Sequence, residues 1–339
     1  MDENRAQAYL QLIDALLTCP NGEEPEILQA NSELLDAEFL LVCEGIAEKL
    51  AEEGEENPAN FLRNLVSQLG QLFGMNDEAD TDNYEGENPQ EYENFIRELL
   101  QAEQDSNSDI KVIYPMLAKR EHLLNARFAK ILQLVAEDLI ADKDTEIIES
   151  IIGDIENLII DINQFPRGNR ANNIEIAITG YQIVLNNRQP GSEKFAQTQN
   201  NLATAYSDRI KGNKADNIEC AIGFFKEVLT VYTFEYFPEN WGMTKNNLAI
   251  AYRNRIKGNR ADNIEGAITF YKEALTVYTF EDFPEKWAMI KNNLANAYFN
   301  RIKGDRAENI EGAIAFFKEA LTVYTFEDFP EKWATTKNN

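Results

Sequence analysis

The stretch "NNLAIAYRNRIKGNRADNIEGAI" at 246–268 returns almost letter for letter as "NNLANAYFNRIKGDRAENIEGAI" at 292–314. Trp241, Trp287 and Trp333 stand 46 residues apart, as do Pro238, Pro284 and Pro330. The pairs Asn200-Asn201, Asn246-Asn247, Asn292-Asn293 and Asn338-Asn339 keep the same step. A looser copy, "ENLIIDINQFPRGNRANNIEIAI" at 156–178, precedes the next by 44 residues, because the loop around Pro190-Gly191 is two residues shorter. Self-similarity at a fixed period of this size means a stack of supersecondary units. Each unit reads as two amphipathic helices, and neither can bury its apolar stripe alone, so neighbouring units must supply the core. Residues 145–339 therefore read as four helix pairs and the opening of a fifth.

Within the clearest unit the first helix is expected from Pro284 to Lys303, ending at Gly304, a residue suited to the left-handed conformation of a helix end. The second is expected to begin at "RADNIE". There Asp262 and Glu265 stand in capping-box spacing, as do Asp216 and Glu219 one copy earlier. It runs on through "GAITFYKEALTVY", and "TFEDFP" returns the chain for the next pair.

"KNNLAIAY" followed by "AITFYKEAL" resembles a tetratricopeptide repeat. Leu248, Ala249, Tyr252, Ala267, Tyr271 and Ala274 fall on that pattern's large and small packing positions, and Lys245 replaces its frequent Trp. The usual repeat is about 34 residues, so this one lengthens both the inner turn and the return. The double-Asn opening also resembles kinesin-light-chain-type repeats. With its "CPNGEEPEILQANSELLDAEF" leader, "VIYPMLAKR", "GNRANNIEIAITGYQIVL" and "FPEKWA" arrays, the chain resembles the front of large cyanobacterial tetratricopeptide proteins. In those proteins the later part is a caspase-like CHAT domain. The resemblance implies an all-α solenoid that binds proteins and regulates such an effector, and it implies that this chain is a fragment without it. The CHAT-like His and Cys motifs are absent from these residues, so no catalytic residue carries over.

Charge divides the chain. The net value is −26, yet residues 1–166 hold 10 basic and 37 acidic side chains, whereas 167–339 hold 22 and 21. Such asymmetry indicates separate modules. Residues 1–75 read as an N-terminal domain of four short helices. One covers "RAQAYLQLIDALL", one starts at a Ser32 cap and ends at Gly54, and one starts at Asn57 with Pro58 in its first turn. Residues 76–90 read as an acidic linker. Residues 91–144 read as a helical segment capping the repeats, broken or bent near Pro115, which lacks a backbone donor. The acidic half disfavours bulk binding to nucleic acid. No apolar run reaches membrane-spanning length, and the acidic start is no signal peptide. Three scattered cysteines suit a reducing, cytosolic setting.

The sequence offers no catalytic constellation. Its one histidine, His122, sits in the helical "KREHLLNARF", and no phosphate loop, nucleophile elbow or zinc motif occurs. The chain reads as a non-enzyme with no cofactor and no metal site. Asp80, Asp82 and Glu91 hold three positions of a calcium loop, but Tyr84 and Glu85 occupy places needing a ligand and a glycine. A solvated linker explains them.

The repeated asparagines invite a functional reading, since Asn costs a helix interior about half a kcal/mol relative to Ala. On a helical wheel Asn246 lies about 160° from the packing residue Leu248, on a face shared with Met243, Ile250 and Arg253 and flanked by Asn247. The next copy offers Met289, Asn292, Asn293, Asn296 and Phe299, and the previous one Asn200 and Asn201. In tetratricopeptide folds first helices line the inner groove, so these residues are the expected peptide-binding surface. A side-chain amide both donates and accepts, matching a peptide backbone of any sequence. The alternative is an Asn ladder bonding neighbouring helices to fix their register, and the residues leave both open. The turns inside each pair are basic ("RIKGNKAD", "RNRIKGNRAD", "RIKGDRAE") and the returns acidic ("FEYFPEN", "FEDFPEK"). Cations there offset helix C-terminal dipoles; a functional basic edge would instead meet nucleic acid or the acidic half. The reading is a protein-interaction and regulatory module, with a nucleic-acid-associated scaffold as the alternative.

Overall fold

The structure, a computed structural model, describes residues 88–339 without interruption and, before them, 3–19, 37–52 and scattered positions between 27 and 66. The chain divides into two units, Met1–Gly86 and Glu87–Asn339. In the first, helices α1 (Glu3–Thr18) and α2 (Ala37–Glu52) pack together. Tyr9, Leu12, Ile13 and Leu16 meet Phe39, Leu40 and Cys43 in a core that Leu62, Leu65 and Val66 join. Ser32 and Asn57, expected as caps, lie outside the described residues. So do residues 76–87 of the acidic stretch, including Asp80 and Asp82.

The second unit begins with α3 (Pro89–Ser106), α4 (Ile110–Lys119) and α5 (Ala126–Ile140). Helix pairs follow: α6 (Thr145–Gln164) with α7 (Arg170–Asn186), α8 (Glu193–Asp208) with α9 (Lys214–Val231), α10 (Pro238–Asn254) with α11 (Arg260–Ala274), and α12 (Pro284–Phe299) with α13 (Arg306–Ala320). Helix α14 (Pro330–Asn338) opens a fifth pair. Every described element is helical, and each pair packs on the next, so the unit is an all-α solenoid of tetratricopeptide-like repeats.

The interruption expected at Pro115 falls elsewhere. Pro115 is the sixth residue of α4, which continues through it. The chain breaks instead at Asn107 and Ser108, both at positive φ, where Asn107 closes α3 and Asp109 caps α4. Local side-chain bonds in "DSNSD" outcompete the helix there.

The capping box is likewise corrected. The second helices are capped by Asn169, Asn213, Asn259 and Asp305; Asn213 and Asn259 stand three residues upstream of the expected Asp216 and Asp262, and the Asn259 side chain accepts from the amides of Ala261 and Asp262. Asp262 therefore sits inside the first turn, where its charge suits the helix dipole. Gly304 does take a positive φ of 80°, but in the turn ahead of α13, because α12 has already ended at Phe299.

Large aromatics fill the gaps within the second, third and fourth pairs. Tyr252 meets Phe270 edge-on at 5.1 Å, and Tyr298 meets Phe316 the same way at 5.1 Å. A Cβ on Gly266 would stand 3.0 Å from the Tyr252 ring, and one on Gly312 3.1 Å from Tyr298. The glycine of "EGAI" is thus a seat for the partner helix's tyrosine.

Candidate interaction surface

Successive first helices α8, α10 and α12 touch one another in turn, and this contact decides the fate of the asparagine face. Asn246 is buried, with 2 % of its surface exposed. Its amide donates to Asn247 Oδ1 at 3.2 Å, and its Oδ1 accepts from Asn293 Nδ2 of the next first helix, also at 3.2 Å. One pair earlier Thr244 Oγ1 donates to Asn200 Oδ1 at 3.4 Å. Asn296 and Asn300 turn their amides back to the carbonyls of Asn292 and Asn296. Two of these bonds, Asn293 to Asn246 and Thr244 to Asn200, join successive first helices, and the others stay within one helix. The wheel misplaced Asn246 because it assumes one covered side, whereas a middle helix of a stack is flanked on several.

Other members of the expected groove stand nearer to solvent. Asn200, Asn201, Met243, Asn247, Ile250, Arg253, Met289, Asn292, Asn293 and Asn296 are half-buried, and Phe299 is exposed. Met243, Ile250 and Met289 also pack against the core of the third and fourth pairs. A cleft of about 310 Å³ opens along the first helices, and it brings together Asn200 and Met243 of that set. Its remaining wall is Gln197, Glu239, Asn240, Thr244 and Lys286, with Tyr232 and Tyr278 from the second helices. Gln197 and Asn240 were not singled out in the sequence, since neither repeats: the positions one period on carry Met243 and Lys286. Phe299 belongs to the opposite end of α12, under the Arg306 guanidinium at 5.2 Å.

The basic turns are bound into the scaffold. Arg255 Nε and Nη2 pair with both oxygens of Glu219 at 2.7 Å, and Arg301 repeats the bidentate pair with Glu265 at 2.7 and 2.9 Å. Arg209 Nη2 meets Glu175 Oε2 at 2.7 Å in a more buried version. Lys257 pairs with Asp216 at 2.7 Å and Lys303 with Asp262 at 2.6 Å. The acids read as capping boxes are therefore acceptors for the following repeat. The Arg301 hydrogen bond holds the Glu265 carboxyl below its ordinary range, and Asp216 and Asp262 raise Lys257 and Lys303. The turn cations answer neighbouring carboxylates rather than the helix dipole alone.

A second device escaped the sequence reading. The asparagine of each "NIE", Asn173, Asn217, Asn263 and Asn309, is buried and donates to the carbonyl of Arg167, Lys211, Lys257 or Lys303 at 2.8–3.1 Å. It closes the turn from inside, and its strict recurrence was the available signal.

At the start of the array a larger cleft, about 550 Å³, lies between α3, α5 and α6 over Leu100, Leu139, Ile147 and Ile151, with Arg97 and Asp154 on its wall. His122 is exposed on a single 3-10 turn, Glu121–Leu123. Among the described residues no group of three or more His, Cys, Asp or Glu side chains is placed to hold a metal ion, and no helix is long and apolar enough to cross a membrane.

Residues 287–325 match the family model described as "Tetratricopeptide repeat". The match spans one helix pair, from Trp287 on α12 to Thr325 beyond α13. Among curated proteins, none matches the chain.

Proposed function

We propose, from a tetratricopeptide match at 287–325 and the copies of that pattern upstream, that the array is a protein-interaction scaffold holding an extended partner segment along its first helices. The observation that carries the reading is the cleft between α8, α10 and α12, where amides of Gln197, Asn200 and Asn240 adjoin Met243 and the Glu239–Lys286 pair. Amides at such a site meet backbone donors and acceptors, and the methionine supplies adaptable apolar contact. The ladder asparagines, Asn246 above all, serve register. Engagement of Arg255, Lys257, Arg301 and Lys303 by carboxylates argues against a nucleic-acid scaffold, which needs them for phosphate.

A displayed library of twelve-residue peptides tests this. Peptides enriched on the full chain are expected to bind the Gln197→Ala/Asn240→Ala variant at least tenfold more weakly, with its melting unchanged. Enriched peptides that bind both proteins equally would place recognition elsewhere. By resemblance, the scaffold would govern a caspase-like effector in the same polypeptide. The coding sequence beyond the Asn339 codon checks that directly: a His–Cys catalytic domain is expected, and its absence would end the idea.

A further inference from the structure

The return loops, which join α9 to α10, α11 to α12 and α13 to α14, repeat one aromatic arrangement three times. Phe234 lies edge-on to Trp241 at 5.3 Å, Phe280 to Trp287 at 5.2 Å and Phe326 to Trp333 at 5.3 Å. The three phenylalanines remain 55 %, 46 % and 64 % exposed, and Tyr236 is 72 % exposed. A single exposed ring needs no explanation, but rings recurring in register along one edge form a surface. Successive loops adjoin. The Tyr278 hydroxyl donates to the Glu239 carbonyl at 2.7 Å and Tyr324 to that of Glu285 at 3.3 Å, while Lys286 and Lys332 pair with the same two glutamates at 3.5 Å.

The net charge on this edge is negative. Segments 233–241, 279–287 and 325–333 together contain eight carboxylates and two lysines, a net of −6. Both lysines are the ones paired between loops. The tryptophans already accept cations within the fold: the Lys245 ammonium stands 5.2 Å from the Trp241 ring and Lys291 5.3 Å from Trp287. Aromatic faces and carboxylates side by side attract cationic side chains by two additive electrostatic terms.

We propose that this edge is a second docking surface, which binds a lysine- or arginine-rich segment of a partner protein by seating its cations on the Phe–Trp pairs and carboxylates of successive loops. The surface adjoins the first-helix cleft and shares Glu239 and Lys286 with it, while its Phe–Trp pairs lie outside the cleft. Neighbouring helices lie about 8–10 Å apart and an extended chain advances about 3.3 Å per residue, so a cation at every third position matches the loop spacing.

The probe is a fluorescent peptide with three lysines separated by Gly-Ser, titrated into the full chain at physiological salt with anisotropy as the readout. Binding is expected to weaken at least tenfold in Phe234→Ala/Phe280→Ala/Phe326→Ala. It should weaken equally in the triple Phe→Leu variant, which keeps the tryptophans covered but removes the π faces. Gln197→Ala, which lies in the cleft and outside the return loops, should leave it unchanged. Equal affinity for wild type and the triple Leu variant would assign the attraction to the acidic bulk of residues 1–166 and overturn the proposal, as would absence of binding to wild type.

Discussion

Arg209→Ala is expected to destabilise the repeat array by about 3–5 kcal/mol, the cost of breaking a buried ion pair from one side. The Arg209 and Glu175 side chains are only 8 % and 11 % exposed, and the guanidinium meets the carboxylate through Nε at 2.9 Å and Nη2 at 2.7 Å. Losing the arginine leaves Glu175 charged and enclosed between the first and second pairs. The same substitution at Arg301, whose pair with Glu265 is 28 % exposed on each side, should cost about 1 kcal/mol or less, because water screens the orphaned carboxylate. Urea unfolding followed by far-UV circular dichroism measures both. The double variant Arg209→Met/Glu175→Leu should recover most of the loss, since an apolar pair of similar volume needs no compensation. Equal losses at Arg209 and Arg301 would show that burial does not set the strength of these contacts.

That gradient was hidden in the sequence, although the residues that build it were plain. The 46-residue step of Trp, Pro and Asn-Asn specified helix pairs and their number, because a repeated phrase has one way to bury its stripe. What a period cannot say is which neighbour a polar side chain faces. Asp262 and Glu265 fit a local capping rule, yet Asn259 lay three residues upstream and won the cap, freeing Glu265 to reach Arg301 across the next interface. Asn246 fitted an open groove until the contact of α10 with α8 and α12 enclosed it. Gln197 and Asn240 were invisible for the opposite reason: they line the cleft where the repeat departs from its own consensus. The resemblance to tetratricopeptide repeats supplied the architecture and the inner face.

Raising the pH from 5 to 8 is expected to weaken the second unit through one buried carboxyl, and Glu103→Gln should abolish that slope. Glu103 on α3 is 1 % exposed, and Asp161 on α6 is 7 % exposed. Apart from the nearby Ser108 hydroxyl, the buried Glu103 oxygens and Asp161 Oδ2 meet no donor. Burial pushes Glu103 up to about 7; the Ser108 hydroxyl opposes this, while Asp161 and Asp154 add to it. Burial also raises Asp161 and Asp154, and it raises Tyr114 of α4 with help from Asp161. One proton held between Glu103 and Asp161 would supply the missing donor. The folded state thus binds that proton more tightly than the unfolded chain, whose carboxyl has its ordinary value near 4.5. Stability from this group is full below about 4.5, is lost as pH rises toward 7, and is level above. The span corresponds to on the order of 3 kcal/mol. Salt-bridged acids such as Glu265 behave oppositely, losing stability only as pH falls through their depressed values. Urea midpoints at pH 5, 6, 7 and 8 separate the two classes. Glu103→Gln keeps the shape and a permanent donor, so it should match wild type at pH 5 and exceed it at pH 8. An unchanged slope in Glu103→Gln would mean that α3 meets α6 without a shared proton.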